Sequence, residues 1–154
     1  MRAVLQRVRW ARVLVEGAVI GEIERGLLIY AGVAPDDGPA EVEWLARKLA
    51  ELRIFPDEQD RFDRSLIDVH GAALVVSQFT LFADTRKGRR PSFLDAAPPD
   101  VAEPVMEQLM QALRERGLTV AGGRFGAHMA VESENDGPVT IMLDSVEMQR
   151  PRRG

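Results

Sequence analysis

The chain has 154 residues and no cysteine, with 20 Lys and Arg against 24 Asp and Glu and a formal net charge of −4, and this length fits one domain that folds without disulfides or metals. The absence of cysteine excludes thiolate zinc sites, iron–sulfur clusters and cysteine nucleophiles and fits a reducing compartment, so we expect a cytoplasmic protein. The acidic balance argues against a protein that coats long stretches of nucleic acid.

The first third of the chain is predicted to form strands. Runs rich in β-branched residues cover 3–8 and 11–15, and because no breaker separates them they can form one long bent strand. The pattern continues over 19–24 and 26–33. Residues 27–31 are apolar throughout, which predicts a strand covered on both faces of a sheet.

Two helices and a buried strand are predicted in the middle of the chain. The first helix, of about 14 residues, carries apolar residues at helical spacing: Val42, Leu45, Leu49 and Leu52. The strand covers 72–81 and ends in polar residues, which is unusual for a core strand. The second helix begins after Pro98, ends near Gly117 and carries a similar set: Val101, Val105, Leu109 and Leu113.

Three short strands are predicted to close the fold, over 118–121, 127–132 and 139–146. The element order is then three strands, helix, strand, helix, three strands. This order predicts a single α/β domain over 1–148, with mixed β-sheet layers and two helices packed on one face. Residues 149–154 are basic and lack an apolar anchor, so we expect a loose tail.

The sequence lacks the residues that several kinds of site require. His70 and His128 are far apart in the chain and each has at most one nearby carboxylate, so we expect neither a metal nor another cofactor. The chain has no Gly-x-Ser-x-Gly elbow for a serine hydrolase and no glycine-rich phosphate loop. No stretch approaches the roughly 18 apolar residues that cross a bilayer, and the first residues lack the core of a signal peptide, so we expect no membrane contact.

Two polar segments remain as candidates for a site. Ser77 to Thr80 lie where a buried strand ends, the position at which α/β sheets tend to hold ligands. Ordinary alternation of exposed and buried residues along a strand also explains them. Asn135 to Thr140 include Gly137 and Pro138, and a tight turn between two strands also explains that segment. Neither segment identifies a function by itself.

Five segments, taken in order, resemble the D-aminoacyl-tRNA deacylase family. They are Gln6-Arg7-Val8, Ser77-Gln78-Phe79-Thr80-Leu81 with Ala83-Asp84-Thr85, Arg90-Pro91-Ser92-Phe93, Gly123-Arg124-Phe125, and Asn135-Asp136-Gly137-Pro138-Val139-Thr140. The resemblance runs from Met1 to about Asp144. One stretch departs from it, because residues 62–66 stand where relatives often carry Met-Asn.

The resemblance implies a homodimeric cytoplasmic hydrolase that cuts the ester between a D-amino acid and the terminal adenosine of a tRNA, as a proofreading step in translation. Glycine mischarged on tRNA-Ala is a further implied substrate. The family's catalytic segment corresponds to Ser77, Gln78, Phe79 and Thr80. Its Gly-Pro peptide, here Gly137-Pro138, is cis and reaches into the active site of the partner subunit. There, backbone carbonyl oxygens are expected to accept hydrogen bonds from the substrate's ammonium group and to obstruct an L side chain.

Arg7 is the candidate for orienting the Gly-Pro peptide. A guanidinium offers five donors in a rigid fork, and we expect them to reach the backbone oxygens of Gly137 and Pro138. A plain surface arginine on the first strand is the alternative.

Ester hydrolysis needs donors for the oxyanion that develops, and we expect the backbone N–H groups of Gln78, Phe79 and Thr80 to supply them. The nucleophile stays open. The Thr80 hydroxyl can attack, but the sequence places no general base for it. Water assisted by the vicinal hydroxyl of the substrate's own ribose needs no such base, and we favour it.

Basic residues cluster in three places. Four lie in the first 12 residues, four in the loop 86–90 and three in the tail, and the first two clusters contain no acidic residue. We expect the loop, with Arg86 and Lys87, to reach the acceptor-end phosphates of tRNA. As in the family, Phe125 and the segment 123–129 are expected to hold the terminal adenine by stacking and main-chain contacts, with packing in the core as the alternative for Phe125.

Two other functions fit the same residues. The chain can be a non-catalytic tRNA-binding module, because no catalytic pair is visible in it. It can also be a family variant that edits an L-amino acid mischarged on tRNA. Arg7 together with Gly137-Pro138 matches the D-specific pattern of the family and favours the deacylase.

Overall fold

A computed structural model describes residues 1–151 and contains eight strands and two α-helices in that range. In chain order these are β1 (Arg2–Val15), β2 (Ala18–Ile23), β3 (Gly26–Gly32), α1 (Pro39–Glu51), β4 (Phe55–Pro56), β5 (Phe62–Arg64), β6 (Ala72–Ser77), α2 (Pro99–Glu115), β7 (Thr119–Gly122) and β8 (Ala130–Asp144). Two 3-10 turns, Phe79–Phe82 and Ser145–Gln149, follow β6 and β8.

Strand β1 connects the two parts of the sheet. Residues 2–8 pair antiparallel with β3, and residues 11–15 pair antiparallel with β2 on the same edge. The opposite edge pairs with β8 from Arg2 to Leu14. Because no glycine or proline interrupts the two apolar runs, they form the one long strand that the sequence predicts.

Strands β3 and β6 are parallel neighbours at the centre of the sheet and are buried on both faces. Leu27 and Ile29 face the main core, which also contains the apolar sides of α1 and α2. Leu28 alternates to the other face and joins a second core with the later part of β1 and with β2. The layers are therefore helices, sheet and a folded-over strand layer, and the predicted α/β class with both helices on one face is confirmed.

Strand β8 differs from the prediction of separate strands over 127–132 and 139–146, which is wrong. It is one strand because both of its arms pair with β1, Val131 with Val13 and Ile141 with Leu5, rather than with each other. The segment that was a candidate turn is instead an irregularity between the pairs Gln6–Thr140 and Val8–Asn135. It lies opposite Arg7, the residue of β1 between those two pairs.

Both helices form where the apolar spacing predicts them, with Leu52 capping α1 rather than lying inside it. The hairpin of β4 and β5 was not predicted, because strands of two and three residues carry no periodicity. Gln149 ends a 3-10 turn, and the last residues of the predicted tail, including Arg152 and Arg153, lie outside the described residues, so the loose tail stays a prediction. Across residues 1–151, neither helix has the length and apolar character needed to span a membrane.

Candidate active site

A cavity of about 600 Å³ opens where the parallel strands β3 and β6 end. Its walls come from those strand ends, the loop before α2, the first turns of α2 and residues 125–131. The lining is mainly apolar and includes Val33, Val76, Ala102, Met106, Phe93 and Phe125. Polar side chains on it belong to Tyr30, Ser77, Gln78 and His128. The cavity occupies the position where α/β sheets bind ligands.

The chain leaves the sheet beside this cavity. The N–H of Gln78 donates to the carbonyl oxygen of Ala31 at 2.8 Å, so the β3–β6 pairing extends one residue past Ser77. The next two N–H groups, of Phe79 and Thr80, open the 3-10 turn and have no acceptor among residues 1–151. The prediction of three free backbone donors is therefore wrong for Gln78. The two adjacent N–H groups of Phe79 and Thr80 remain as candidate donors.

Thr80 is exposed and is not among the residues that line the cavity. Its hydroxyl accepts a hydrogen bond from the side-chain amide of Gln78. An amide cannot take the proton of a nucleophilic hydroxyl, so this contact holds the Thr80 side chain in place without activating it. Ser77, Gln78 and Phe79 all line the cavity, as expected for a site segment.

Aromatic residues make up part of the cavity lining. Phe125 is half-buried, packs against the main core and also lines the cavity, so its packing is confirmed and its contact with the terminal adenine stays a prediction. Phe79 and Phe93 form an edge-to-face pair with ring centroids 5.0 Å apart. This pair joins the segment after β6 to the loop that leads into α2.

Two polar side chains of the cavity were missed by the sequence analysis. Tyr30 lies in an apolar strand, where its ring is indistinguishable from core, and burial raises the pKa of its hydroxyl. It therefore stays protonated at neutral pH and can donate. His128 lies within the segment 123–129 that is expected to hold the adenine, but the sequence analysis assigned its own side chain no role in the site.

Arg7 is 8% exposed, so its interpretation as a surface arginine is wrong. Its Nε donates to the carbonyl oxygen of Asp136 at 3.1 Å and lies 3.4 Å from the carboxylate of the same residue. Its Nη1 donates to the buried carbonyl oxygen of Ile54 at 2.8 Å. The expected contact with the backbone of Gly137 and Pro138 is thus made one residue earlier, at the carbonyl that precedes Gly137.

The peptide between Gly137 and Pro138 is cis, and Gly137 has a φ of +136°. A Cβ at this position would lie 2.8 Å from Cγ2 of Val139 and 3.3 Å from Nη2 of Arg7, so only glycine fits. Both residues are exposed, and neither they nor Arg7 line the cavity. One copy of the chain therefore does not bring this peptide together with Ser77 to Thr80.

The arginines of β1 are not a free basic cluster. Arg2, Arg9 and Arg12 face acidic residues across the β1–β8 pairing. The N···O distances are 3.0 Å for Arg2 to Asp144, 3.2 Å for Arg9 to Glu134 and 2.6 Å for Arg12 to Glu132. The cluster is free of acids only along the sequence, because antiparallel pairing places acids from residues 132–144 beside it.

The loop 86–90 keeps more of its positive charge. Within residues 1–151, Lys87, Arg89 and Arg90 form no ion pair and all three are exposed. Arg86 differs, because its Nε and Nη2 donate to the two carboxylate oxygens of Asp84 at 2.9 and 2.6 Å. The loop is closed at its base by paired backbone hydrogen bonds between Asp84 and Ser92.

The Arg86 side chain, and then the Arg86 backbone N–H, lower the pKa of Asp84 to about 2. Because the folded pKa lies below the ordinary value of about 4, the stabilisation is complete above about pH 4 and is lost as the pH falls toward about 2. We expect the free energy of unfolding to fall less over this interval in Asp84→Asn than in the native chain. Urea unfolding across the interval measures it, with the exposed Asp95→Asn as control. Equal acid sensitivity of Asp84→Asn and the native chain would contradict the assignment.

Among residues 1–151, no three His, Asp or Glu side chains come close enough to hold a metal ion. The fold and the cavity define a small α/β domain whose candidate catalytic groups are backbone N–H donors at a strand end, next to an apolar pocket. Backbone donors of this kind stabilise the oxyanion that develops in ester hydrolysis, and the sequence carries no Gly-rich loop for a phosphate group.

Comparison with known proteins identifies the family. The family model described as D-Tyr-tRNA(Tyr) deacylase matches residues 4–144. A D-aminoacyl-tRNA deacylase of Roseiflexus castenholzii is 59% identical over 152 residues, which cover 99% of this chain and 97% of the relative. One of Chloroflexus aurantiacus is 58% identical over 153 residues, which cover 99% of this chain and 96% of the relative. The chain therefore belongs to the D-Tyr-tRNA(Tyr) deacylase family, and the resemblance is confirmed.

Two solved structures share the fold of this chain. A structure described as c-Myc DNA unwinding element binding protein superposes with a TM-score of 0.88 at 40% identity, over 94% of this chain and 98% of that one. A probable eukaryotic D-amino acid tRNA deacylase superposes with a TM-score of 0.81 at 20% identity, over 92% of this chain and 97% of that one, and shares the fold.

Proposed function

We propose that this protein hydrolyses the ester of D-aminoacyl-tRNA to free D-amino acid and tRNA, a proofreading step in translation. The observation that carries the proposal is a pair of N–H groups beside the cavity, at Phe79 and Thr80, that have no acceptor within residues 1–151. Two adjacent backbone donors form an oxyanion hole without any acid–base pair. The similarity of the whole chain to D-aminoacyl-tRNA deacylases supports the choice of ester.

The attacking group in this proposal is water assisted by the vicinal hydroxyl of the terminal ribose. The Thr80 hydroxyl is held by the amide of Gln78, and neither histidine contacts it. The substrate therefore contributes the group that the protein lacks. The water oxygen bonds to the acyl carbon, the bond between that carbon and the ribose oxygen breaks, and a proton from the water goes to the ribose oxygen.

Chiral selection in this proposal needs a second copy of the chain. Gly137 and Pro138 are exposed and do not line the cavity of their own chain, and Arg7 donates to the carbonyl oxygen of the residue before them. A homodimer in which each copy inserts this peptide into the cavity of the other combines the two segments. Carbonyl oxygens of the inserted peptide then accept hydrogen bonds from the substrate's ammonium group, and the peptide obstructs an L side chain. This selection does not depend on which side chain the amino acid carries.

The terminal adenosine is assigned to the apolar cavity, where the ring of Phe125 can stack on the base. Glycyl-tRNA is included as a substrate, because glycine has no side chain for the peptide to exclude. A protein that acts on aminoacyl-tRNA works where translation occurs, so we infer a cytoplasmic location.

Release of amino acid from D- and L-tyrosyl-tRNA tests the proposal. Release of the D-amino acid alone supports it. Binding of tRNA without release of either amino acid indicates a non-catalytic module, and release of the L-amino acid indicates the editing variant. Loss of activity at dilutions that separate the dimer tests the assignment of Gly137 and Pro138 to the partner subunit.

Neutralising the loop in Lys87→Gln/Arg89→Gln is expected to weaken tRNA binding, because both side chains are exposed and free of ion pairs. The slope of log affinity against log salt should flatten by roughly 0.7 to 0.9 for each phosphate contact that is lost. The matched control is Arg47→Gln/Arg114→Gln, which removes the same charge from exposed positions on the helices. If both double variants change binding equally, net charge explains the effect and the loop is not the contact.

A further inference from the structure

Phe62 is a large aromatic side chain on the β4–β5 hairpin, and it is 59% exposed. Its ring does not contribute to either hydrophobic core. The guanidinium carbon of Arg7 lies over this ring, 5.5 Å from the centroid. This geometry is a cation–π interaction, which is favoured by the negative face of the ring.

Arg7 makes two kinds of contact. Its N–H groups donate hydrogen bonds to the carbonyl oxygens of Ile54 and Asp136. Its guanidinium carbon lies over the ring of Phe62. Hydrogen bonds fix the distance to each carbonyl, but they leave the guanidinium some freedom to rock about them. The neighbouring ring opposes that motion and keeps water from the side that it covers.

The hairpin gives the ring a fixed position. Phe55, at the start of the hairpin, is 1% exposed and belongs to the main core, and it pairs with Arg64. Phe62 pairs with Pro56. The turn is closed by Asp57, whose carboxylate accepts from the N–H groups of Gln59 and Arg61 at 2.8 and 2.9 Å. The ring is thus presented to Arg7 from an anchored element and not from a free loop.

We propose that Phe62 is a positioning residue, which acts through Arg7 to hold the backbone at Asp136 and so the peptide Gly137-Pro138 that follows. The inference rests on the proposed function, in which this peptide selects the D-enantiomer. Phe62 touches neither the cavity nor the reacting atoms. Its removal lets the guanidinium tilt, lets the peptide vary in position and so admits L substrates, while the chemistry at Phe79 and Thr80 continues.

The experiment compares Phe62→Ala, Phe62→Leu and Phe62→Tyr by the ratio of kcat/KM for D- and L-tyrosyl-tRNA. We expect the ratio to fall about fivefold in the Ala and Leu variants and to be retained in the Tyr variant. A fivefold change corresponds to the loss of a cation–π contact of about 1 kcal/mol. The kcat on the D substrate should stay within about twofold, since no group that faces the ester is changed. A Leu variant with native selectivity would overturn the proposal, because the ring would then matter only as apolar bulk.

The matched control is Trp10→Ala, which removes an exposed ring from the guanidinium of Arg12, 5.7 Å from its centroid, on the same strand. Its selectivity should be native, and a fall equal to that of Phe62→Ala would contradict a specific role.

A second readout does not depend on activity. Exchange of the Arg7 Nε proton with water, followed by NMR, should be faster in the Ala and Leu variants and native in Tyr. Unchanged exchange in the Ala and Leu variants would overturn the role of Phe62, whether or not the protein is active. Failure of the native protein to release either amino acid would contradict only the proposed function. Faster exchange with native selectivity also overturns it, because Arg7 would then move without affecting the peptide.

Discussion

Arg7→Ala is expected to lower the free energy of unfolding by about 2–4 kcal/mol, because two charge-assisted hydrogen bonds to carbonyl oxygens are lost, one of them buried. In the proposed function it also lowers kcat/KM on D-tyrosyl-tRNA by about tenfold or more, because the backbone at Asp136 loses its donor. Arg7→Lys should give values of both quantities between those of the native chain and Arg7→Ala, since lysine keeps the charge but loses the planar set of donors. Urea unfolding and ester release on the same preparations measure both effects.

The control for this prediction is Arg9→Ala on the same strand. Arg9 contacts Asp136 as well, at 3.6 Å, and Glu134, but its side chain is 66% exposed. Exposed ion pairs contribute about 0–1 kcal/mol, so stability and activity should change little. Equal losses in the two variants would show that the charge near Asp136 matters and that the buried hydrogen bonds of Arg7 do not.

A D-tyrosyl-tRNA whose terminal ribose lacks the vicinal hydroxyl is expected to be hydrolysed about 100-fold to 10,000-fold more slowly than the normal substrate, the range of a lost general acid–base group. Thr80→Ala, by contrast, should keep activity within about threefold, because its hydroxyl contacts an amide and no base. Single-turnover release under saturating enzyme separates the chemical step from binding.

The exposed Thr85→Ala serves as the control for the loss of a threonine hydroxyl in the same region. A Thr80→Ala protein that binds substrate normally and releases nothing would make Thr80 the nucleophile. Normal hydrolysis of the deoxy substrate would exclude assistance by the ribose.

The sequence was sufficient for those parts of the fold that apolar spacing controls. Leu27 to Ala31 are apolar on both faces because β3 lies between two cores, and the helices follow the spacing of Leu45 and Leu109. The path of β8 was not predictable in the same way. Gly137 and Pro138 are turn residues by local preference, and pairing of both arms with β1 overrides that preference.

The candidate site was only partly visible in the sequence for a related reason. The segment Ser77 to Thr80 stands out because polar residues follow a buried strand. The sequence does not show that the N–H of Gln78 is used in a hydrogen bond to Ala31, because this depends on how far two distant strands pair. Tyr30 and Phe62 carry no local signal, since one resembles core and the other lies in a short hairpin. The neutralised arginines of β1 likewise depend on acids that lie 120 to 142 residues further along the chain.

The cross-strand ion pairs between β1 and β8 have a consequence for product release. Substrate and product tRNA differ only in the aminoacyl group, so a broad basic surface would bind both with nearly the same free energy and retain the product. With Arg2, Arg9 and Arg12 already paired with acids, the loop 86–90 is the basic cluster that keeps several unpaired charges within residues 1–151, and we expect backbone phosphates to bind there. The affinity then depends more on the amino acid and its ester, and it falls once the ester is cut. We therefore expect rapid departure of the uncharged tRNA and little inhibition by the large cellular excess of correctly charged molecules.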